Sequence, residues 1–279
     1  MLIVPSIADM RRICGELRAR GALGFVPTMG ALHEGHLSLV RRARGECGAV
    51  VASIFVNPLQ FGPSEDLSQY PRTLAEDCKL LEKDGVAAVF VPGVEEMYPA
   101  GAKTTVTVAE VGDRLDGASR PGHFVGVATV VAKLLHVVSP DRAYFGQKDA
   151  AQLAVLRRMV EDLDFAVVMV GCAIVRDADG LALSSRNRYL STAERGHALV
   201  LRRCLLEMTR MISGGERDSA RLEEAGRRVI AEEPGVRLDY LSVVDASTLE
   251  PVERAEAGVL VAVAAWVGST RLIDNFLVG

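Results

Sequence analysis

The chain reads as an α/β protein: a Rossmann-like parallel sheet with helices on both faces, followed by a smaller C-terminal α+β region. Three observations predict this. Short apolar runs at residues 23–26, 49–56 and 86–91 alternate with helical apolar periods. The run 49–56 (AVVASIFV) is unbroken and β-branched, as in a strand covered on both faces. Beyond Asn187 the rhythm changes to two helices and then strands, which predicts domains 1–187 and 188–279.

Composition sets the outer limits. At 279 residues, 49% hydrophobic and 24% charged, the chain can bury a sizeable core. Its net charge of −4 argues against wholesale nucleic-acid binding, which needs a basic face. The 5 cysteines, at 14, 47, 78, 172 and 204, form no C-x-x-C, which suits a reducing compartment. Residues 1–5 are too short for a signal peptide, and the apolar run 258–267 is too short to span a bilayer. The expectation is a soluble cytoplasmic protein with no membrane partner.

In chain order, residues 7–20 place Ile7, Met10, Ile13, Cys14 and Leu17 on one face of a helix that Gly21 stops. The run 23–26 is a strand ended by Pro27. Thr28, Met29 and Gly30 break it, and a helical period begins near Leu32. His33 and His36 lie three apart in the first turn of that helix and point the same way. Gly35 between them leaves the backbone open to another molecule. A helix N-terminus offers free N–H groups and partial positive charge, so the pair suits a polyphosphate. Alone, H-x-x-H is more often a surface pair. The strand before it, the helix after it and the internal glycine point to a nucleotide. Zinc is disfavoured, because HEGH is not H-E-x-x-H and no third ligand sits nearby.

The strand 49–56 ends at Asn57-Pro58, with Gln60 beyond. Ligands of open α/β sheets bind at carboxyl ends of strands, so these amides either meet a hydroxyl or carboxylate or form only an Asn-Pro turn. Residues 61–72 make a loop of ~12 residues, long enough for a lid. Residues 73–84 are a helix, with Thr73 and Glu76 as a capping box. Asp77 on it is either a surface carboxylate or an indirect magnesium ligand. Residues 86–91 are a buried strand and 104–108 (TTVTV) alternate like an exposed one. Arg120 and His123 precede an apolar, hence buried, helix at 125–138, where they face an anion or merely cap and pack. Residues 142–145 are a strand leading through Gly146, Gln147, Lys148 and Asp149 into a helix with Gln152 in its first turn. Lys148 can neutralise a phosphate, and Asp149 can cap the helix or bind a ribose. A long strand at 165–175 follows, then a turn at 177–180 and the loop Leu183-Ser184-Ser185-Arg186-Asn187. Its hydroxyls and guanidinium can wrap a triphosphate. Helices at 192–212 and 219–232 and strands at 238–244, 259–267 and 270–277 complete the chain.

No G-x-x-x-x-G-K-[ST], G-x-G-x-x-G or G-x-S-x-G occurs. PTMGALHEGH (27–36) resembles the HxGH signature of the nucleotidyltransferase superfamily. Together with SIFVNPLQF (53–61), YPRTLAED (70–77), RPGHFVGVATVVAKLL (120–135), YFGQKDAAQ (144–152) and LALSSRN (181–187), it makes residues 3–190 resemble the pantothenate synthetase (pantoate–β-alanine ligase) family. RLIDN (271–275) adds to the match.

The resemblance implies that ATP and (R)-pantoate form pantoyl adenylate and pyrophosphate, and that β-alanine then displaces AMP to give pantothenate. It implies an ATP site of Met29, Gly30, Ala31, Leu32, His33, Glu34, Gly35 and His36, with Gly146, Gln147, Lys148, Asp149, Val175, Leu183, Ser184, Ser185 and Arg186. His36, His33, Lys148 and Arg186 would act on the phosphates. Gln60 and Gln152 would hold pantoate, with Asn57 and Arg120 beside them, and Gln60 would also meet β-alanine. The family often has Met where this chain has Leu183, a swap that keeps volume. Mg²⁺, with Asp77 as its candidate ligand, a homodimer and a cytoplasmic location are implied as well. The alternatives are another HxGH nucleotidyltransferase with a different acceptor, and a nucleotide-binding regulator without turnover.

Overall fold

A computed structural model of the chain describes residues 1–62 and 66–279. The chain divides into two compact units. Met1–Gly146 with Val155–Ala173 form the first, and Gln147–Ala154 with Ile174–Gly279 the second.

The first unit is built on six parallel strands: β1 (Leu2–Val4), β2 (Leu23–Thr28), β3 (Ala49–Ile54), β4 (Ala88–Phe90), β5 (Arg142–Gly146) and β6 (Val168–Cys172). Their order in the sheet is β1-β4-β3-β2-β5-β6, and every pair is parallel. Its helices are α1 (Ile7–Leu17), α2 (Glu34–Glu46), α3 (Leu74–Lys83), α4 (Val94–Met97), α5 (Asp116–Ser119) and α6 (His123–Val138). The following helix, α7 (Ala150–Asp162), runs across the unit boundary in the chain. Both alternating sets of strand side chains are fully buried, Val26, Val50 and Ala52 on one side and Phe25 and Val51 on the other. Alternation sends these sets to opposite faces, so the sheet is covered twice. Val26, Val50 and Ala52 pack with Leu39, Val40 and Ala43 of α2 and Leu81 of α3.

Strand order explains where a ligand goes. The chain winds from β2 to β3 and β4, then crosses to the other side of β2 for β5. β2 and β5 pair only at Gly24–Arg142 and Phe25–Ala143, so they part towards their carboxyl ends. Such a switch point is where open α/β sheets take ligands. The histidine turn follows β2 directly.

The second unit carries the antiparallel sheet β7 (Val236–Asp245), β8 (Val259–Val267) and β9 (Thr270–Leu277), with helices α8 (Thr192–Ser213) and α9 (Ser219–Ala231). Ser191 caps α8 reciprocally with Glu194, a true capping box. Leu201, Leu205 and Met208 of α8 and Leu222 of α9 pack against Leu241, Val261 and Val263 of the sheet.

Four local expectations need correction. Residues 104–108 form no strand, because their alternating run pairs with no neighbour; Val106 N–H is held instead by Thr129 Oγ1 at 2.9 Å. The long strand expected at 165–175 shrinks to β6, an edge strand with Val168 55% exposed. β1, read only as a short apolar end, is a sheet strand beside β4. Thr73 makes no cap bond to the backbone of α3; its hydroxyl donates to Asp77 Oδ2 at 3.2 Å. Of the expected loop 61–72, residues 63–65 lie outside the described residues.

Candidate active site

The histidine turn begins where β2 ends. Two consecutive residues, Gly30 (φ 86) and Ala31 (φ 52), lie in the left-handed region and fold the chain back sharply. Glycine takes that conformation freely and alanine does not, so Ala31 needs support from its surroundings. Its amide finds that support in Asp77, on α3. Asp77 Oδ2 accepts from Ala31 N at 2.9 Å, and Oδ1 accepts from Leu32 N at 2.8 Å. Asp77 is 2% exposed, with both oxygens occupied by backbone amides. The surface position expected of Asp77 is therefore corrected to that of a buried anchor.

α2 starts two residues later than expected, at Glu34, and His33 is its cap. His33 Nδ1 accepts from Gly35 N at 3.2 Å, and His36 Nδ1 accepts from His33 N at 3.3 Å. The imidazoles thus form a reciprocal capping box, with ring centroids 4.1 Å apart. A neutral ring whose Nδ1 accepts must carry its proton on Nε2. In its neutral form each histidine therefore carries its N–H on Nε2. The amides of Ala31, Leu32, His33 and Gly35 already have partners, so they are not the free backbone amides expected at the helix mouth. Glu34 is exposed and pairs with Arg41 along the same helix.

A second cluster in the first unit surrounds Gln60. Asn57, 1% exposed, uses all four of its hydrogen-bonding positions. Oδ1 accepts from Tyr98 OH at 2.8 Å and from Leu59 N at 3.3 Å. Nδ2 donates to Gly126 O at 3.0 Å and to Gln60 Oε1 at 3.2 Å. Asn57 so engaged supports Gln60. Burial pushes the Tyr98 phenol above its ordinary value, so it stays a donor. Gln60 Nε2 donates to Met29 Sδ at 3.2 Å, a weak acceptor. His123 Nδ1 donates to Gln60 O at 2.8 Å, which leaves Nε2 to accept from Arg120 Nη1 at 2.9 Å. Arg120 is thus fastened beside Gln60. Gly126 lets α6 approach this closely: a Cβ there would stand 2.3 Å from Leu59 O and 2.6 Å from Gln60 N. Tyr98 and Gly126 escaped the sequence reading; the glycine inside an otherwise apolar helix was the only available signal.

In the second unit, Gln147, Lys148 and Asp149 form a single 3₁₀ turn. Asn275 Nδ2 donates to both Gln147 O and Lys148 O at 2.9 Å and so fixes the turn's backbone. Asp274, 3% exposed, takes both guanidinium arms of Arg176 at 2.6 and 2.8 Å. Leu183 N donates to Val175 O at 3.0 Å, closing a hairpin that delivers the serine loop. Ser184 caps the turn Ser185–Tyr189 through Arg186 N. Lys148, Ala182, Ser184, Asn187 and Asp274 line one cleft, and Asn187 Oδ1 is buried in this unit without a hydrogen bond. Arg176 and Asp274 were not singled out from sequence. Gln152 is half-buried in the first turn of α7.

A profile of the pantoate–beta-alanine ligase family matches residues 2–277. The chain belongs to that family. As a pantoate–β-alanine ligase it has relatives of matching length. It is 66% identical to the pantothenate synthetase of Acidobacterium capsulatum over 268 residues, covering 96% of this chain and 90% of that one. It is 57% identical to that of Koribacter versatilis, covering 99% and 96%. The crystal structure of pantothenate synthetase from Thermus thermophilus superposes with a TM-score of 0.94 at 51% identity, covering 99% of each chain. The pantoate–β-alanine ligase of Francisella tularensis, solved with a β,γ-ATP compound and β-alanine, gives 0.77 at 32% identity, covering 99% of this chain and 97% of that one.

Proposed function

We propose that this ligase works in two steps. A pantoate carboxylate oxygen attacks the α-phosphorus of ATP, and pyrophosphate leaves. The uncharged amine of β-alanine then attacks the acyl carbon of pantoyl adenylate. AMP departs with the bonding pair and the amine loses a proton.

Two Nε2–H donors held side by side on a capped helix carry this reading. The capping box orients both rings on the helix, so they can favour charge developing on the phosphates during adenylation. His36, with His33 beside it, takes that role over the ATP stretch Met29–His36. Lys148 and Arg186 offset the charge of the nucleotide. Gly146, Gln147, Asp149, Val175 and the loop 183–186 complete its site. Gln60 and Gln152 hold pantoate, Arg120 stands next to Gln60, and β-alanine shares Gln60. That the Gln60 amide holds only the weakly accepting Met29 thioether supports this.

Among the described residues no group of three or more His, Cys, Asp or Glu gathers to hold a metal. Mg²⁺ in this proposal is held by the nucleotide's phosphates and water, its usual preference, and no step is assigned to it. A homodimer in the cytoplasm completes the proposal. Among the described residues no helix is long and apolar enough to cross a membrane.

The test is a mass-spectrometric assay with ATP, Mg²⁺, pantoate and β-alanine, omitting each in turn. Pantothenate and AMP should form together only in the complete mixture. AMP formed without pantoate, or turnover with no β-alanine requirement, rejects the scheme.

A further inference from the structure

The structure assigns Asp77 the task of positioning the histidine pair for adenylation. This rests on the reading of His33 and His36 given above and extends it to a residue on another element. Asp77 lies 46 and 45 residues from the two amides it holds. It grips consecutive amides just where the chain turns through two left-handed residues. Leu32 N, the second of them, is the last amide before the His33 cap.

Without the carboxylate, the amides of Ala31 (0% exposed) and Leu32 (4%) lose their partners inside the protein. Buried backbone groups are seldom left so, and the turn would rearrange to reach water or a new acceptor. The ring positions depend on that turn, because His36 Nδ1 takes its bond from His33 N. Gly30 is packed against the same carboxylate: a Cβ there would sit 3.1 Å from Asp77 Oδ2. Thr73 Oγ1 supplies a third bond, which fixes the carboxylate on α3. An asparagine at 77 can accept only one of the two amides and turns an N–H₂ towards the other.

The experiment measures the two half-reactions separately in Asp77→Asn, His36→Ala and the double variant. In Asp77→Asn, pantoate-dependent pyrophosphate release should slow by about 10- to 100-fold, the scale of a misplacement near 1 Å. Aminolysis of supplied pantoyl adenylate by β-alanine, and the Mg²⁺ concentration giving half-maximal rate, should each stay within about threefold, since neither uses the pair. The double variant should be no slower than His36→Ala alone, because residues acting as one unit are not additive.

Near-normal pyrophosphate release in Asp77→Asn overturns the assignment, as do equal losses in both half-reactions or losses that multiply in the double variant. A raised Mg²⁺ requirement overturns it in favour of a metal role. If His36→Ala itself adenylates normally, the histidine reading fails, and that is distinguishable from a failure at Asp77 alone. Should Asp77→Asn not fold, Thr73→Val removes only the third bond. It should slow adenylation by about two- to fivefold with the same pattern in combination with His36→Ala, and an unchanged rate refutes the proposal.

Discussion

Replacing Gly126 with alanine tests the packing that holds Gln60. Inside an ordinary helix, glycine to alanine stabilises by roughly 0.5–1 kcal/mol. Gly196 in α8 is such a site, with nothing within 4 Å of an added Cβ. At Gly126 the Cβ would meet Leu59 O at 2.3 Å, Leu59 C at 2.4 Å and Gln60 N at 2.6 Å, all of them backbone. The segment Pro58–Gln60 must move away from α6, and overpacking of this kind costs about 1–3 kcal/mol. The same movement stretches the 3.0 Å bond from Asn57 Nδ2 to Gly126 O, a further loss of about 0.5–1.5 kcal/mol. The net effect is a destabilisation of roughly 0.5–4 kcal/mol, which lowers the melting temperature by about 1–10 °C for a chain of this size. Gln60 moves with the backbone. Titration calorimetry should show pantoate Kd raised at least about tenfold, while an ATP analogue changes by less than about threefold. A Gly126→Ala variant that melts as high as Gly196→Ala and binds pantoate normally rules out this packing role.

Gln60→Ala should weaken pantoate more than ATP with little change in melting temperature, since its amide is held by a thioether and one long bond; calorimetry showing the reverse order rejects its assignment. Asp274→Ala leaves Arg176 half-buried without its carboxylate and should destabilise by about 3–5 kcal/mol, read by denaturant unfolding. Stability should also fall in alkali. Burial pushes the Cys14 thiol up to about 11 and the Cys204 thiol up to about 12, from an ordinary 9.0. A folded-state value raised in this way is neutral up to pH 9, and its stabilisation is lost as the unfolded chain ionises between pH 9 and those values. Melting temperatures followed upward from pH 8 should drop beyond pH 9, and Cys14→Ala with Cys204→Ala should drop less steeply.

What could be read from sequence follows the range of the forces involved. The parallel sheet was legible because burial on both faces leaves an unbroken β-branched run, as in β3, and the buried helix α6 because its apolar residues surround it. Residues 104–108 show the converse. Alternation records only that a segment could be half-buried, and without a partner strand it stays irregular. The histidine turn was legible as strand, breaker and helix, since those signals are local. Its support was not. Asp77 occupies a place on α3 that looks like any acidic residue in a first helical turn, and Thr73 four residues earlier even imitates a cap. The bonds that give both residues their work reach across the fold or run side chain to side chain, which no periodicity encodes. Tyr98 and Asn57 likewise meet across 41 residues. Asp274 and Asn275 are the intermediate case. Two polar residues side by side in a strand, both 3% exposed, must be bonded internally. That inference needs burial first, and burial of β9 follows only from its pairing with β8. The candidate site therefore divides by range: the groups that would face substrate lie in local signatures, and the groups that hold them still lie where only the folded chain brings them.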